Sequence, residues 1–110
     1  MSVQHKKLAE GRWAEMPLCE QMANVGSEVN RALNWRKKGK IDFSKKAVNR
    51  ALELLELTIE HAKKYSRLKE LLRAKETLAD FFYGSNDFGS SGESLRKYFD
   101  CFNYLARKNH

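Results

Sequence analysis

The sequence predicts an all-α fold, an antiparallel up-down-up-down four-helix bundle preceded by a short N-terminal arm over residues 1 to 16. Three observations predict it. Apolar residues recur at steps of three and four through most of the chain, which is the helix period. The single proline, Pro17, leaves long stretches without a helix breaker. The segments that interrupt the period are short and carry residues that start and stop helices.

The first helix begins at Pro17, because a proline at a first helical position gives up an N–H that has no helical partner there. Its apolar residues are Leu18, Met22, Val25, Val29 and Leu33. The stop is "RKKGK", where Lys37 and Lys38 meet the negative helix end and Gly39 can adopt a left-handed cap. Ala23, Gly26 and Ser27 are small, so a neighbouring backbone can approach this helix closely. Asp42 or Ser44 is the expected cap of the second helix, which runs to about His61. Its stripe is Phe43, Ala47, Ala51, Leu55 and Ile59, widened by Val48, Leu54 and Thr58. The third helix starts near Ser66, carries Leu68, Leu71, Leu72, Leu78 and Phe82, and ends at Gly84. The fourth follows "SSGE", where Ser90 and Glu93 have capping-box spacing, and presents Leu95, Tyr98, Phe99, Phe102 and Leu105. In the arm, Trp13 and Met16 are expected to pack over one end of the core.

With 110 residues, 42% hydrophobic and 32% charged, the chain reads as one globular domain rather than a disordered segment. Cys19 and Cys101 are far apart and outside any CxxC, so both read as reduced core thiols. The N-terminal "MSVQHKKLAE" lacks a signal-peptide core, and no apolar run is long enough to cross a bilayer. The expectation is a cytoplasmic protein with no membrane partner.

Catalytic chemistry finds little support. Residues 81 to 94, "FFYGSNDFGSSGES", are glycine- and serine-rich but lack the GxxxxGK[ST] pattern and contain no lysine, so they read as a connector between helices. Glu53, Glu56 and Glu60 share a face of the second helix with His61 adjacent. They lie off the apolar stripe, and no Glu precedes a His by three residues, so a di-metal site is not expected. A solvated acidic face, paired in part with Arg50, Lys63 and Lys64, accounts for them. No cofactor is expected. HEPN ribonucleases, which are bundles of this size, carry an Arg followed four to six residues later by His. None of His5, His61 and His110 has such an arginine.

The net charge of +7 points to a polyanion or an acidic protein partner. The basic residues fall into two groups in the expected bundle. Arg36, Lys37, Lys38, Lys40, Lys45 and Lys46 surround the first turn. Lys63, Lys64, Arg67 and Lys69 lie at the other end, joined by Arg107, Lys108 and the arm residues Lys6 and Lys7. Basic residues at helix C-termini offset the macrodipole. Lys45 and Lys46 lie at a helix start, so that explanation does not reach them. Trp35 and Tyr65 flank the two groups and could stack on unpaired bases. The first-turn six are the candidate nucleic-acid-binding residues.

The segments "CEQMANVGSEVNRALNW", "RALELLELTIEHAKKYSRLKELLRAKE" and "DFFYGSNDFGSS" resemble small bacterial all-α proteins of unassigned function. The resemblance implies a helical bundle, carries no catalytic residue, and suggests that the phenylalanine- and glycine-rich loop is a shared feature. The reading is a non-enzymatic interaction module that docks on a protein or RNA, or on further copies of itself. The alternative is a HEPN-like nuclease or toxin–antitoxin component that uses a polar group near the aromatic loop, such as Asp80 or Asp87.

Overall fold

The computed structural model describes residue 11, residues 13 to 62 and residues 65 to 108, without the side chains of Tyr65 and Ser66. Four long helices make up most of it: α1 (Leu18–Lys37), α2 (Ile41–Glu60), α3 (Tyr65–Tyr83) and α4 (Gly92–Lys108). No strand occurs among the described residues. The close helix pairs are α1 with α2, α1 with α4, and α2 with α3; no comparable seam joins α3 to α4. Cross-links run antiparallel between α1 and α2 and between α2 and α3. Ser44 reaches Ala32 while Arg50 reaches Glu28, and Tyr83 reaches Asn49 while Lys75 reaches Glu56.

The helix boundaries follow local chemistry. Pro17 is the N-cap of α1, one position earlier than expected, and its carbonyl accepts the N–H groups of Glu20 and Gln21. At the other end Gly39 has φ +77°, the left-handed geometry that costs glycine little. The Gly39 N–H donates to the Arg36 carbonyl and the Lys40 N–H to the Trp35 carbonyl, a Schellman closure that turns the chain at once into α2. A Cβ at Gly39 would meet nothing, so Gly39→Ala isolates the backbone cost. It should lower the unfolding free energy by about 1 kcal/mol, read as a lower urea midpoint with unchanged slope.

Two expected caps are replaced. Neither Asp42 nor Ser44 caps α2, whose N-cap is Lys40 with no side-chain hydrogen bond. Ser44 is instead buried, and its Oγ donates to the Ala32 carbonyl at 2.8 Å, pinning α2 against α1 where Ala32, Ala47 and Val48 form a small apolar cluster. On α4 the capping pair is Ser91 and Ser94, not Ser90 and Glu93. Each hydroxyl accepts the other's backbone N–H, at 2.9 and 3.0 Å. Asn86 claims Ser90 by accepting its N–H and donating to its carbonyl, which shifts the helix start by one residue.

The main core joins Met22, Val25, Val29 and Leu33 of α1 to Ala51 and Leu55 of α2, Leu71 and Leu78 of α3, and Leu95 and Phe99 of α4. Trp13 belongs to this core, and its Nε1–H donates to the Thr58 hydroxyl at 2.9 Å, while Met16 packs on the margin. The small-residue stretch of α1 gives the close approach its composition suggested. At Gly26 a Cβ would lie 2.8 Å from the Cβ of Phe99, so α4 seats where α1 has no side chain.

Several stripe positions are exposed. Phe43 is 50% exposed at the start of α2, as is the off-stripe Ile41 beside it, and Leu72 and Leu105 lie on outer surfaces. Leu105 is seven residues beyond Tyr98, on the α4 flank turned towards α3, where no tight seam exists to bury it. Cys101 is also exposed rather than buried, and Cys19 is half-buried.

Candidate functional site

The Schellman turn brings the end of α1 and the start of α2 side by side, and with them all six first-turn cations. Each of Arg36, Lys37, Lys38, Lys40, Lys45 and Lys46 is exposed, and none joins an ion pair among the described residues. Between residues 36 and 46 the only acid is Asp42. The negative end of α1 and the positive end of α2 meet at this turn and largely offset each other, so the six cations against Asp42 set the local field.

These cations are arranged around aromatic rings. Trp35 and Phe43 stack with centroids 4.9 Å apart and planes 30° from parallel. The Lys38 ammonium lies 5.5 Å from the Trp35 ring and the Lys46 ammonium 5.8 Å from the Phe43 ring. On the other side of the α2 start, the Arg36 guanidinium sits over Phe81 at 4.6 Å and Phe82 at 5.6 Å. Arg36 and Lys45 then line a cleft of about 160 Å³ whose apolar wall includes Ile41, Val48 and Phe82. Tyr83 closes one side, with its hydroxyl donating to Asn49 Oδ1 at 2.7 Å. The result is one end of the molecule carrying fixed positive charge, a stacked aromatic pair and a small half-apolar cleft. No protein-family model, curated protein or solved structure matches the chain.

The second basic group is not assembled in the same way. Arg67 pairs with Glu70 at 3.8 Å, and Arg107 and Lys108 occupy the last turn of α4, where they offset its dipole. Lys6, Lys7, Lys63, Lys64 and the Tyr65 side chain lie outside the described residues, as do His5 and His110.

Other groups singled out by sequence have structural partners. Both Asp80 carboxylate oxygens accept backbone N–H groups, from Asp87 at 2.9 Å and Phe88 at 3.0 Å, and the Asp80 carbonyl takes those of Gly84 and Asn86. Asp87 accepts from the Ser85 hydroxyl. The connector between α3 and α4, residues 84 to 91, therefore spends its polar groups on its own turn. Phe88 stays about half-exposed beneath the Arg73 guanidinium, 5.0 Å away. On α2 the acidic face is split: Arg50 leaves it for Glu28 of α1, and Glu56 pairs with Lys75 of α3. Among the described residues no cluster of three or more His, Cys, Asp or Glu could hold a metal ion.

A larger cleft of about 290 Å³ lies between α3 and α4, over Ala74, Leu95 and Phe99. Its rim mixes Glu70 with Arg73, so it presents no single charge to a ligand. Tyr98 stands in it, with its hydroxyl donating to Glu70 at 3.4 Å. Burial, then the neighbouring Glu70 charge, pushes the Tyr98 phenol up to about 12 from its ordinary value of 10.0. The protonated form is favoured in the fold, so its contribution to stability is complete below pH 10 and is lost as pH rises through about 12. An ultraviolet titration of the native protein should show one tyrosine ionising late, a step that Tyr98→Phe removes.

Sequence reasoning assigned Phe43 to the core and overlooked Ile41 and Tyr83. A signal was available. Ile41 and Phe43 are the first two apolar residues after a tight glycine turn, beside the very end of α1, where little of that helix remains to cover them.

Proposed function

We propose that the chain is a non-enzymatic docking module, an antiparallel up-down-up-down four-helix bundle that binds RNA at its first-turn end. Arg36, Lys37, Lys38, Lys40, Lys45 and Lys46 are the phosphate-binding residues in this reading. The observation that carries it is their exposure around one turn without an acidic partner among the described residues. Unpaired surface cations keep their full field for a polyanion, whereas paired ones have largely spent it. A cytoplasmic setting fits this role and the exposed thiol of Cys101. No helix among the described residues is long and apolar enough to cross a membrane.

The test is fluorescence anisotropy with labelled RNA at low and physiological salt, with the same samples run on a denaturing gel. Binding that weakens with salt and leaves the RNA intact supports the module. Cut RNA would replace it with the nuclease reading. Intact, unbound RNA at low salt would overturn RNA binding and turn the search towards a protein partner or self-association.

A further inference from the structure

We infer that the first-turn surface selects single-stranded over double-stranded RNA, taking unpaired bases on the Trp35–Phe43 stack and in the cleft beside it. This rests on the reading of the surface as a phosphate site. A surface evolved only for duplex phosphates needs cations and hydrogen-bond donors. It has no use for half-exposed apolar side chains among them, because a duplex keeps its bases inside and turns phosphates outward. Here Phe43 and Ile41 are each 50% exposed in the middle of the basic residues. Exposing them costs hydration free energy in the free protein, and a charged ligand without flat faces would recover none of it.

A single strand supplies what this surface lacks. Every unpaired base offers a π-face that stacks on an aromatic ring, and its phosphates lie within reach of cations flanking that ring. The Lys38 and Lys46 ammonium groups lie within 6 Å of the Trp35 and Phe43 rings, 5.5 and 5.8 Å from their centroids. Both ammonium groups sit over ring faces, so an arriving base displaces a lysine from the face and the strand's own phosphate takes up its charge. The neighbouring cleft repeats the combination. Its volume of about 160 Å³ equals that of roughly five liquid waters, room for one flat heterocycle. Ile41, Val48 and Phe82 form its apolar wall, and Arg36 and Lys45 supply charge at its edge. Phe81 and Phe82 hold the Arg36 guanidinium in place, so little side-chain freedom is lost when it engages a phosphate or the plane of a base.

The experiment compares a labelled uridine homopolymer with a blunt RNA hairpin stem of equal charge, at one salt concentration. The single strand should bind about tenfold tighter, within the range that one or two stacked bases provide. Phe43→Ala should remove most of that advantage and leave hairpin affinity within about twofold. Phe43→Leu, which keeps apolar bulk without a π-face, should behave like the alanine variant; Phe43 is half-exposed, and circular dichroism verifies the folding of both variants. Equal affinity for the two RNAs, or equal loss for both in Phe43→Ala, overturns the inference while leaving the phosphate surface intact. A Phe43→Leu variant that binds like the wild type also overturns stacking. Failure of both RNAs to bind at low salt removes the phosphate reading itself, and the inference with it.

Discussion

Replacing Lys37, Lys38, Lys45 and Lys46 together with glutamine should flatten the salt dependence of RNA binding and lower affinity at every salt concentration. Six single-strand phosphate contacts imply a slope of log affinity against log salt of about −4, which costs roughly 300-fold between about 50 and 200 mM salt. Four of those contacts account for about −3 of that slope, so the variant should lose less than about tenfold over the same range. Its affinity at low salt should already be lower by a comparable factor. The same number of glutamines at Lys69, Lys75, Lys97 and Lys108, elsewhere on the molecule, removes equal net charge. That control should lower affinity only modestly, because charges beyond a Debye length of about 10 Å are screened. If both quadruple variants lose affinity alike, binding follows net charge and the first turn has no special role. Glutamine preserves helix propensity at the helical positions, and circular dichroism verifies the folding of both variants, since Lys75→Gln also removes the pair with Glu56.

The largest stability effect is expected at Gly26→Val. Gly26 is buried in α1, and its missing side chain leaves the space in which Phe99 of α4 sits. A Cβ there would approach the Phe99 Cβ to 2.8 Å and its ring carbons to 3.4 and 3.5 Å. The Phe99 Cβ is anchored to the α4 backbone, so relief requires α4 to move off α1 as a body. Overpacking of this kind costs about 1 to 3 kcal/mol, and two further methyl carbons place valine at the upper end. Valine recovers only a few tenths of a kcal/mol through helix propensity. Urea denaturation should therefore show a loss of about 2 to 3 kcal/mol. Gly92→Ala is the contrast, since its Cβ would meet Leu33 Cδ2 at 3.5 Å, an ordinary contact, and stability should not fall. A neutral Gly26→Val would mean that α4 does not seat against α1 at this point.

The helices and most of their stops were legible because they depend on neighbours in sequence. The period of Met22, Val25, Val29 and Leu33 names the buried face of α1, and Pro17 and Gly39 punctuate it through their own backbone restrictions. The small-residue stretch around Gly26 also announced a close approach, though not that Phe99 would be the side chain to fill it. The candidate site was half legible. Its six cations stand out by number and position in the chain, because charge is visible without contacts.

What the sequence left open was decided by partners distant along the chain. Ser44 could cap α2 or cross to α1, and the approach of Ala32 chose the second. Arg50 could serve the acids of its own helix, but Glu28 of α1 lies closer. Phe43 continues the α2 stripe in period, and only the end of α1 beside it leaves the ring half-exposed on Trp35. The chain by itself determined four amphipathic helices, their stops and a basic first turn, since propensity, caps and charge act within a few residues. The tertiary structure alone decided that aromatic rings and a cleft share that turn, because exposure is a property of what other helices fail to cover.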